Sequence, residues 1–153
     1  MTDYSALYER FGELIVTQTG MTDSPFGEGA SDEEIAALGF PVPDDYALLL
    51  SLTGKEVDPS LITFPPEEIS LLTIDQVAVR PDGGIAIART RDGRDLLLLK
   101  GGLVLDGVVV AASVSDLIAK IVRGLESGAL RIVPGFTFVL NGDPVGREAF
   151  ATL

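Results

Sequence analysis

The chain has 153 residues, a length typical of a single domain that can bury its own hydrophobic core. It contains neither His nor Cys, which excludes Ser-His-Asp and Cys-His catalysis and the zinc and iron sites that depend on those ligands. The formal net charge is −12 at pH 7. The mean hydropathy of +0.35 is on the high side, a hint that some apolar surface serves an interface.

The negative charge is concentrated in the first half of the chain. Residues 1–75 contain 15 acidic and 2 basic residues, a net charge of −13, whereas residues 76–153 contain 8 acidic and 9 basic residues, a net charge of +1. Such a field repels the phosphates of nucleic acids and favours basic partners. The alternative is that the acidic residues only keep a hydrophobic domain in solution.

The first half of the chain predicts three helices. Apolar residues over 3–18 recur at the spacing of an amphipathic helix. A second helix begins after Ser31, in a segment with the Ser-x-x-Glu spacing of a capping box. A third begins at Asp44 and Asp45, whose charges suit a helix N-terminus. Residues 20–30 are predicted as a loop, and residues 55–67 as an extended loop or an edge segment.

The second half predicts a meander of short antiparallel strands and one more helix. From residue 69 the apolar period changes to two, with strand residues at 72–79, and glycine-containing turns separate strands over 85–111. A helix follows Ser113 and ends near Gly128, and residues 136–140 form a further strand. The tail from Asn141 has no clear pattern. The apolar stretch over 96–114 is interrupted by charges and glycines, so we interpret it as strands and not as a membrane span.

This order of elements predicts one α+β domain over residues 1–153. Its antiparallel sheet of about five to six strands is covered by the N-terminal helices and one later helix. The absence of a signal-peptide pattern at the N-terminus favours a cytoplasmic protein.

No candidate catalytic, cofactor or metal site emerges from the motifs. Acidic pairs occur at 44–45 and 67–68, but adjacent side chains point in different directions and do not converge. A hydrolase using Mg²⁺ would need three or four converging acids, so an enzyme is disfavoured. Arg89, Arg91 and Arg94 surround a predicted hairpin turn and could grip a phosphate or an acidic peptide. We favour a polar hairpin face in which they pair with Asp92 and Asp95.

Residues 31–54 read SDEEIAALGFPVPDDYALLLSLTG. Here a capped acidic helix is followed by a Pro-x-Pro link, an acidic residue and Tyr46, an apolar helix and a glycine, an order that resembles the signature segment of the SUKH superfamily. Ile85–Leu99 and Val108–Leu125 are similar to the family's central strands and its closing helix. The resemblance spans about residues 5–126, and residues 127–153 are interpreted as a C-terminal strand and tail.

The resemblance implies an α+β domain without catalysis. Many bacterial SUKH proteins are immunity proteins that bind and neutralise toxins, often nucleases, and others are regulatory or scaffold modules. With the acidic first half, this implies a basic toxin domain as the partner, and neither nucleic acid nor a membrane. The candidate partner-binding acids are Asp32, Glu33, Glu34, Asp44, Asp45, Glu56, Asp58, Glu67 and Glu68. A rival surface is the sheet face opposite the helices, with Arg89 and Arg91 on its rim, through which a homodimer could form.

Overall fold

A computed structural model describes residues 4–20, 29–53, 64–81, 83–133 and 137–153. Glu56 and Asp58 lie outside these ranges. The helices are α1 (Ser5–Thr19), α2 (Asp32–Ala36), α3 (Asp44–Thr53), α4 (Val114–Ser127) and α5 (Arg147–Ala151). The strands are β1 (Ile69–Leu71), β2 (Ala78–Val79), β3 (Ile85–Thr90), β4 (Asp95–Leu99), β5 (Gly102–Leu105), β6 (Val108–Ala111), β7 (Leu130–Val133), β8 (Thr137–Leu140) and β9 (Asp143–Pro144).

The larger sheet confirms the predicted fold class. Five of its six strands are antiparallel neighbours in the order β1-β3-β4-β5-β6, and the sixth strand, β2, pairs with β3. Tight turns join β3 to β4 and β5 to β6, with Gly93 and Gly107 at positive φ values of 93° and 78°. Glycine adopts this backbone region without the steric penalty that other residues meet.

The helices and the larger sheet share one hydrophobic core. Helix α1 buries Tyr8, Phe11, Leu14 and Ile15, which recur at the spacing that the sequence predicts. Helix α4 begins at the N-cap residue Ser113, whose side chain accepts a hydrogen bond from a backbone N–H, and its apolar face packs in the same core. The helices predicted over 3–18 and after Ser113 are therefore confirmed.

Successive side chains of β4 and β5 alternate between the two sheet faces. Leu96, Leu103 and Leu105 are fully buried in the core beneath the helices. Leu97 and Val104 are cross-strand partners, and Val104 is in turn paired with Val109 of β6. These last three residues lie outside the core cluster, and Val109 is 52% exposed. We call Leu97, Val104 and Val109 the apolar sheet face.

The C-terminal segment corrects the sequence analysis. Strands β7, β8 and β9 form a second, three-stranded sheet, and α5 follows it, although only one strand and a tail were predicted there. The tail is ordered because Val145 and Phe150 are buried in the main core. Residues 72–77, predicted as strand positions, lie outside the strands.

The apolar stretch over 96–114 forms β4, β5, β6 and the first residue of α4, as expected for strands. Among the described residues, no helix has both the length and the apolar character needed to cross a membrane.

Candidate functional site

A groove lies beside the two helices that carry most of the predicted partner-binding acids. Its volume is about 480 Å³, and it is lined by residues of α2, of the link after it and of α3. Most of the lining is apolar. The lining residues are Asp32, Ile35, Ala36, Phe40, Val42, Ala47, Leu48 and Ser51. We call this surface the α2–α3 groove.

Three exposed acids lie at or next to the α2–α3 groove. Asp32 lines it, Glu33 follows in the first turn of α2, and Asp44 begins α3. None of the three has an ion-pair or hydrogen-bonding partner among the residues that the structure describes. Apart from a favourable interaction with the helix dipole at the start of α2 and α3, their charge is therefore available to a partner.

Glu34 has a structural role at the start of α2. The Ser31 hydroxyl accepts a hydrogen bond from the Glu34 N–H, and the Glu34 carboxylate accepts one from the Ser31 N–H, each at 3.2 Å. This is the capping box that the sequence predicts. It satisfies two backbone N–H groups at the helix start, so part of the acidic charge in α2 serves the fold.

Asp45 was predicted to face a partner, and the structure places it elsewhere. The residue is only 7% exposed. Its Oδ1 accepts a hydrogen bond from the Tyr46 N–H, and its Oδ2 accepts one from the Ser115 N–H, both at 2.9 Å. The Tyr8 hydroxyl donates to the Asp45 carbonyl at 2.7 Å. Asp45 thus joins the start of α3 to the starts of α4 and α1, and we remove it from the candidate surface.

Glu67 and Glu68 lie at a second cavity, which shares no lining residue with the α2–α3 groove in the described chain. Its volume is about 590 Å³. The loop before β1, the β3–β4 turn and the segment from β9 to α5 surround it. The lining residues are Phe64, Pro65, Glu67, Glu68, Arg91, Asp92, Arg94, Phe138, Pro144, Val145 and Gly146. We call it the hairpin cavity.

Glu67 is the centre of an ion-pair network at the hairpin cavity. Its carboxylate accepts hydrogen bonds from Arg94 at 2.8 Å and from Arg147 of α5 at 2.9 Å. Arg94 also pairs with Asp92 and with Asp106 of the β5–β6 turn. Burial alone would raise the pKa of Glu67, but the hydrogen bonds from Arg94 and Arg147 outweigh it and lower the pKa below the ordinary value.

The backbone at Glu67 and Glu68 is in the left-handed region, with φ of 56° and 55°. Residues other than glycine adopt this region at a cost of about 1–3 kcal/mol each, and such residues cluster at functional sites. The Glu67 N–H donates to the Val145 carbonyl at 2.8 Å, which helps to hold the loop in this conformation.

Two of the three arginines of the β3–β4 hairpin make the pairs expected of a polar hairpin face, whereas Arg91 lies 3.8 Å from Glu68. Arg89 contacts Asp95 at 2.9 Å, and Arg94 contacts Asp92 at 3.0 Å. Sequence reasoning missed the participation of Arg147, which is 80 residues from Glu67 along the chain. No local pattern signals such a contact, because it depends on how the C-terminal segment folds back.

The acids do not form a metal centre in the described part of the chain, where no group of three or more candidate ligands is close enough to hold an ion. Comparisons with protein-family models, with curated proteins and with solved structures found no match to this chain.

Proposed function

We propose that this chain is a non-enzymatic protein-binding domain that docks a basic partner on the α2–α3 groove. The observation that carries the proposal is the combination of an apolar floor with Asp32, Glu33 and Asp44, three acids that have no ion-pair partner in the described part of the chain. Protein interfaces commonly combine an apolar core with a charged rim, and complementary charge on the rim speeds association.

The distribution of ion pairs supports this choice of surface. In the sheet half of the molecule, Arg80 and Arg89 pair with Asp95, and Arg94 and Arg147 pair with Glu67. Acidic and basic charges there largely cancel locally. The acids beside the α2–α3 groove have no such compensation among the described residues, so this surface presents uncompensated negative charge to a partner.

The partner that we propose is a bacterial toxin domain, with this chain as its immunity protein. The support is the resemblance of residues 31–54 to the SUKH signature segment, since the same residues form the α2–α3 groove. A nuclease is basic where it grips phosphate, so an acidic inhibitor can be steered onto that site.

A charge-reversal experiment tests the proposal. The variant Asp32→Lys/Glu33→Lys/Asp44→Lys reverses the acids beside the groove. The matched control Glu9→Lys/Asp75→Lys/Asp143→Lys changes the net charge by the same amount at exposed positions elsewhere. Each protein is used as bait in lysate of the organism that encodes it, and captured proteins are identified by mass spectrometry. The captured partner is then co-expressed with each bait, and growth is measured.

We expect wild type and control to capture the same basic protein and to protect cells from it. The groove variant should bind it at least about tenfold more weakly, because several rim charges become repulsive. Equal binding by the groove variant and the control, or a captured partner that is not basic, would contradict the proposal.

The apolar sheet face supports a second candidate, a scaffold module that self-associates. Leu97, Val104 and Val109 are adjacent across three strands and lie outside the core. Asp95 begins β4, two residues before Leu97, and its negative charge is compensated by Arg80 and Arg89. A second copy could therefore approach this face without meeting the charge of an unpaired Asp95. In this candidate the partner is another copy of the chain.

Light scattering after size-exclusion chromatography tests the second candidate. We expect a dimer for wild type and a monomer for Val109→Lys. The control Val79→Lys should remain a dimer: Val79 is also exposed, but its cross-strand partner is the core residue Ile85, so it does not belong to the apolar sheet face. A monomeric wild-type protein at high concentration would exclude this candidate.

A further inference from the structure

The hairpin cavity has the size and lining of a small-molecule site. Its volume of about 590 Å³ lies within the range of roughly 300–1,000 Å³ in which small ligands bind. Phe64, Phe138 and Val145 lie in its wall and are themselves buried, at 3%, 4% and 6% exposure. The two aromatic rings are 5.9 Å apart between centroids. This apolar part of the wall suits a flat organic group.

The charged part of the lining favours a cation. It contains three carboxylates, those of Glu67, Glu68 and Asp92, and two guanidinium groups, those of Arg91 and Arg94. Arg94 already donates to Glu67, Asp92 and Asp106. An anionic ligand would have to compete with these carboxylates for Arg94, and it would enter a cavity whose lining is net negative.

Glu68 is the carboxylate that can receive the ligand. The cation beside it is Arg91, whose Nη1 atom lies 3.8 Å from the Glu68 Oε2 atom, a distance longer than a hydrogen bond. The Glu68 side chain is 40% exposed, whereas Glu67 is 20% exposed and bound by two arginines. Both acids have left-handed backbone conformations, and both line the cavity.

We propose that the hairpin cavity binds a small organic cation with a flat apolar body and an amidinium- or guanidinium-type head. The head donates hydrogen bonds to the Glu68 carboxylate, and the body lies against the wall that contains Phe64 and Phe138. Charge-assisted pairs of this planar kind are among the stronger hydrogen-bonding interactions in proteins. The inference is independent of the proposed protein partner, because it concerns a different cavity.

Titration with three matched probes tests the charge preference. Benzamidine, benzamide and benzoate share a phenyl ring and differ in charge, and binding is followed by NMR chemical-shift changes on the full chain. Benzamidine should bind at least about tenfold more tightly than benzamide, and benzoate should bind most weakly. Tighter binding of benzoate, or equal binding of all three, would overturn the proposal.

Three variants locate the site. Glu68→Gln should weaken benzamidine binding about tenfold, and Arg91→Gln should strengthen it several-fold, because it removes the cation that competes for Glu68. Asp32→Asn, which changes an acid of the α2–α3 groove, should leave it unchanged. Arg91 and Glu68 are both partly exposed, and thermal unfolding verifies that each variant is folded. Weakening by Asp32→Asn but not by Glu68→Gln would place the cation in the other groove and refute the inference.

Discussion

Replacing Asp45 with alanine tests whether this acid stabilises the fold. The substitution removes a carboxylate that accepts hydrogen bonds from the Tyr46 and Ser115 N–H groups, both at 2.9 Å. Ser115 is the second residue of α4, where backbone N–H groups have no partner within the helix. A hydrogen bond to a charged group contributes about 1.5–3 kcal/mol, and a buried donor left unpaired adds a further cost. We expect a loss of about 3 kcal/mol in the free energy of unfolding.

The neighbouring acid is a matched control for this experiment. Asp44→Ala removes an exposed carboxylate at the start of the same helix, and its loss should cost less than about 1 kcal/mol, from the helix dipole alone. Urea unfolding followed by circular dichroism measures both free energies. The Asp45→Ala midpoint in a thermal scan should fall by roughly 6–12 °C. If the two variants differed by less than about 1 kcal/mol, the bridging role of Asp45 would be refuted.

Two further pairs of variants test packing and polar burial by the same unfolding assay. Gly124→Ala should lower the free energy of unfolding by about 1–3 kcal/mol, because the added Cβ would lie 2.8 Å from a side-chain carbon of β7. Gly12→Ala has open space around it and should raise the free energy of unfolding by about 0.5–1 kcal/mol. Equal effects of the two would contradict the packing of α4 on β7. Tyr46→Phe should be neutral or slightly stabilising, because the buried hydroxyl of Tyr46 has no hydrogen-bonding partner among the described residues. Tyr8→Phe removes a 2.7 Å hydrogen bond and should lower the free energy of unfolding by about 1 kcal/mol. A larger loss for Tyr46→Phe than for Tyr8→Phe would show that the Tyr46 hydroxyl is satisfied.

Local patterns were sufficient to predict the elements whose ends are specified by their own residues. Helix α4 has a serine cap at one end and a left-handed glycine, Gly128, at the other, and both signals lie within a few residues of the helix. The β3–β4 and β5–β6 turns contain Asp-Gly pairs, which favour tight hairpins. Such elements can be predicted because the residues that determine them are close together along the chain.

The C-terminal sheet and the role of Asp45 depend on distant contacts. Strands β8 and β9 are short, and their order depends on Phe138 and Val145 entering a core formed mainly by earlier residues. An aspartate at a helix start has the same local pattern whether it faces solvent, as Asp44 does, or reaches a helix 70 residues later, as Asp45 does. The sequence could therefore predict an acidic surface but not which of its acids are available.

The ion-pair network at Glu67 predicts a specific pH dependence of stability. Hydrogen bonds from Arg94 and Arg147 lower the pKa of Glu67 in the folded state below the ordinary value of 4.5. Between the folded and unfolded pKa values the unfolded chain binds more protons, so stability rises with pH across that window. The contribution of Glu67 is therefore complete above about pH 5.5 and is lost as the pH falls through the folded pKa.

Comparison of wild type with Glu67→Gln isolates this contribution. At neutral pH the variant should be less stable by about 1–3 kcal/mol, because it loses the charge in two hydrogen bonds. The difference should shrink steadily below about pH 4.5, since the wild-type carboxyl becomes neutral as well. Glu13→Gln is the control, because it changes an exposed pair with Arg10 at 3.4 Å that should contribute no more than about 1 kcal/mol. Urea unfolding at a series of pH values gives both curves. A difference between wild type and Glu67→Gln that stayed constant from neutral pH to about pH 3 would mean that the Glu67 charge does not stabilise the junction between the β3–β4 turn and α5.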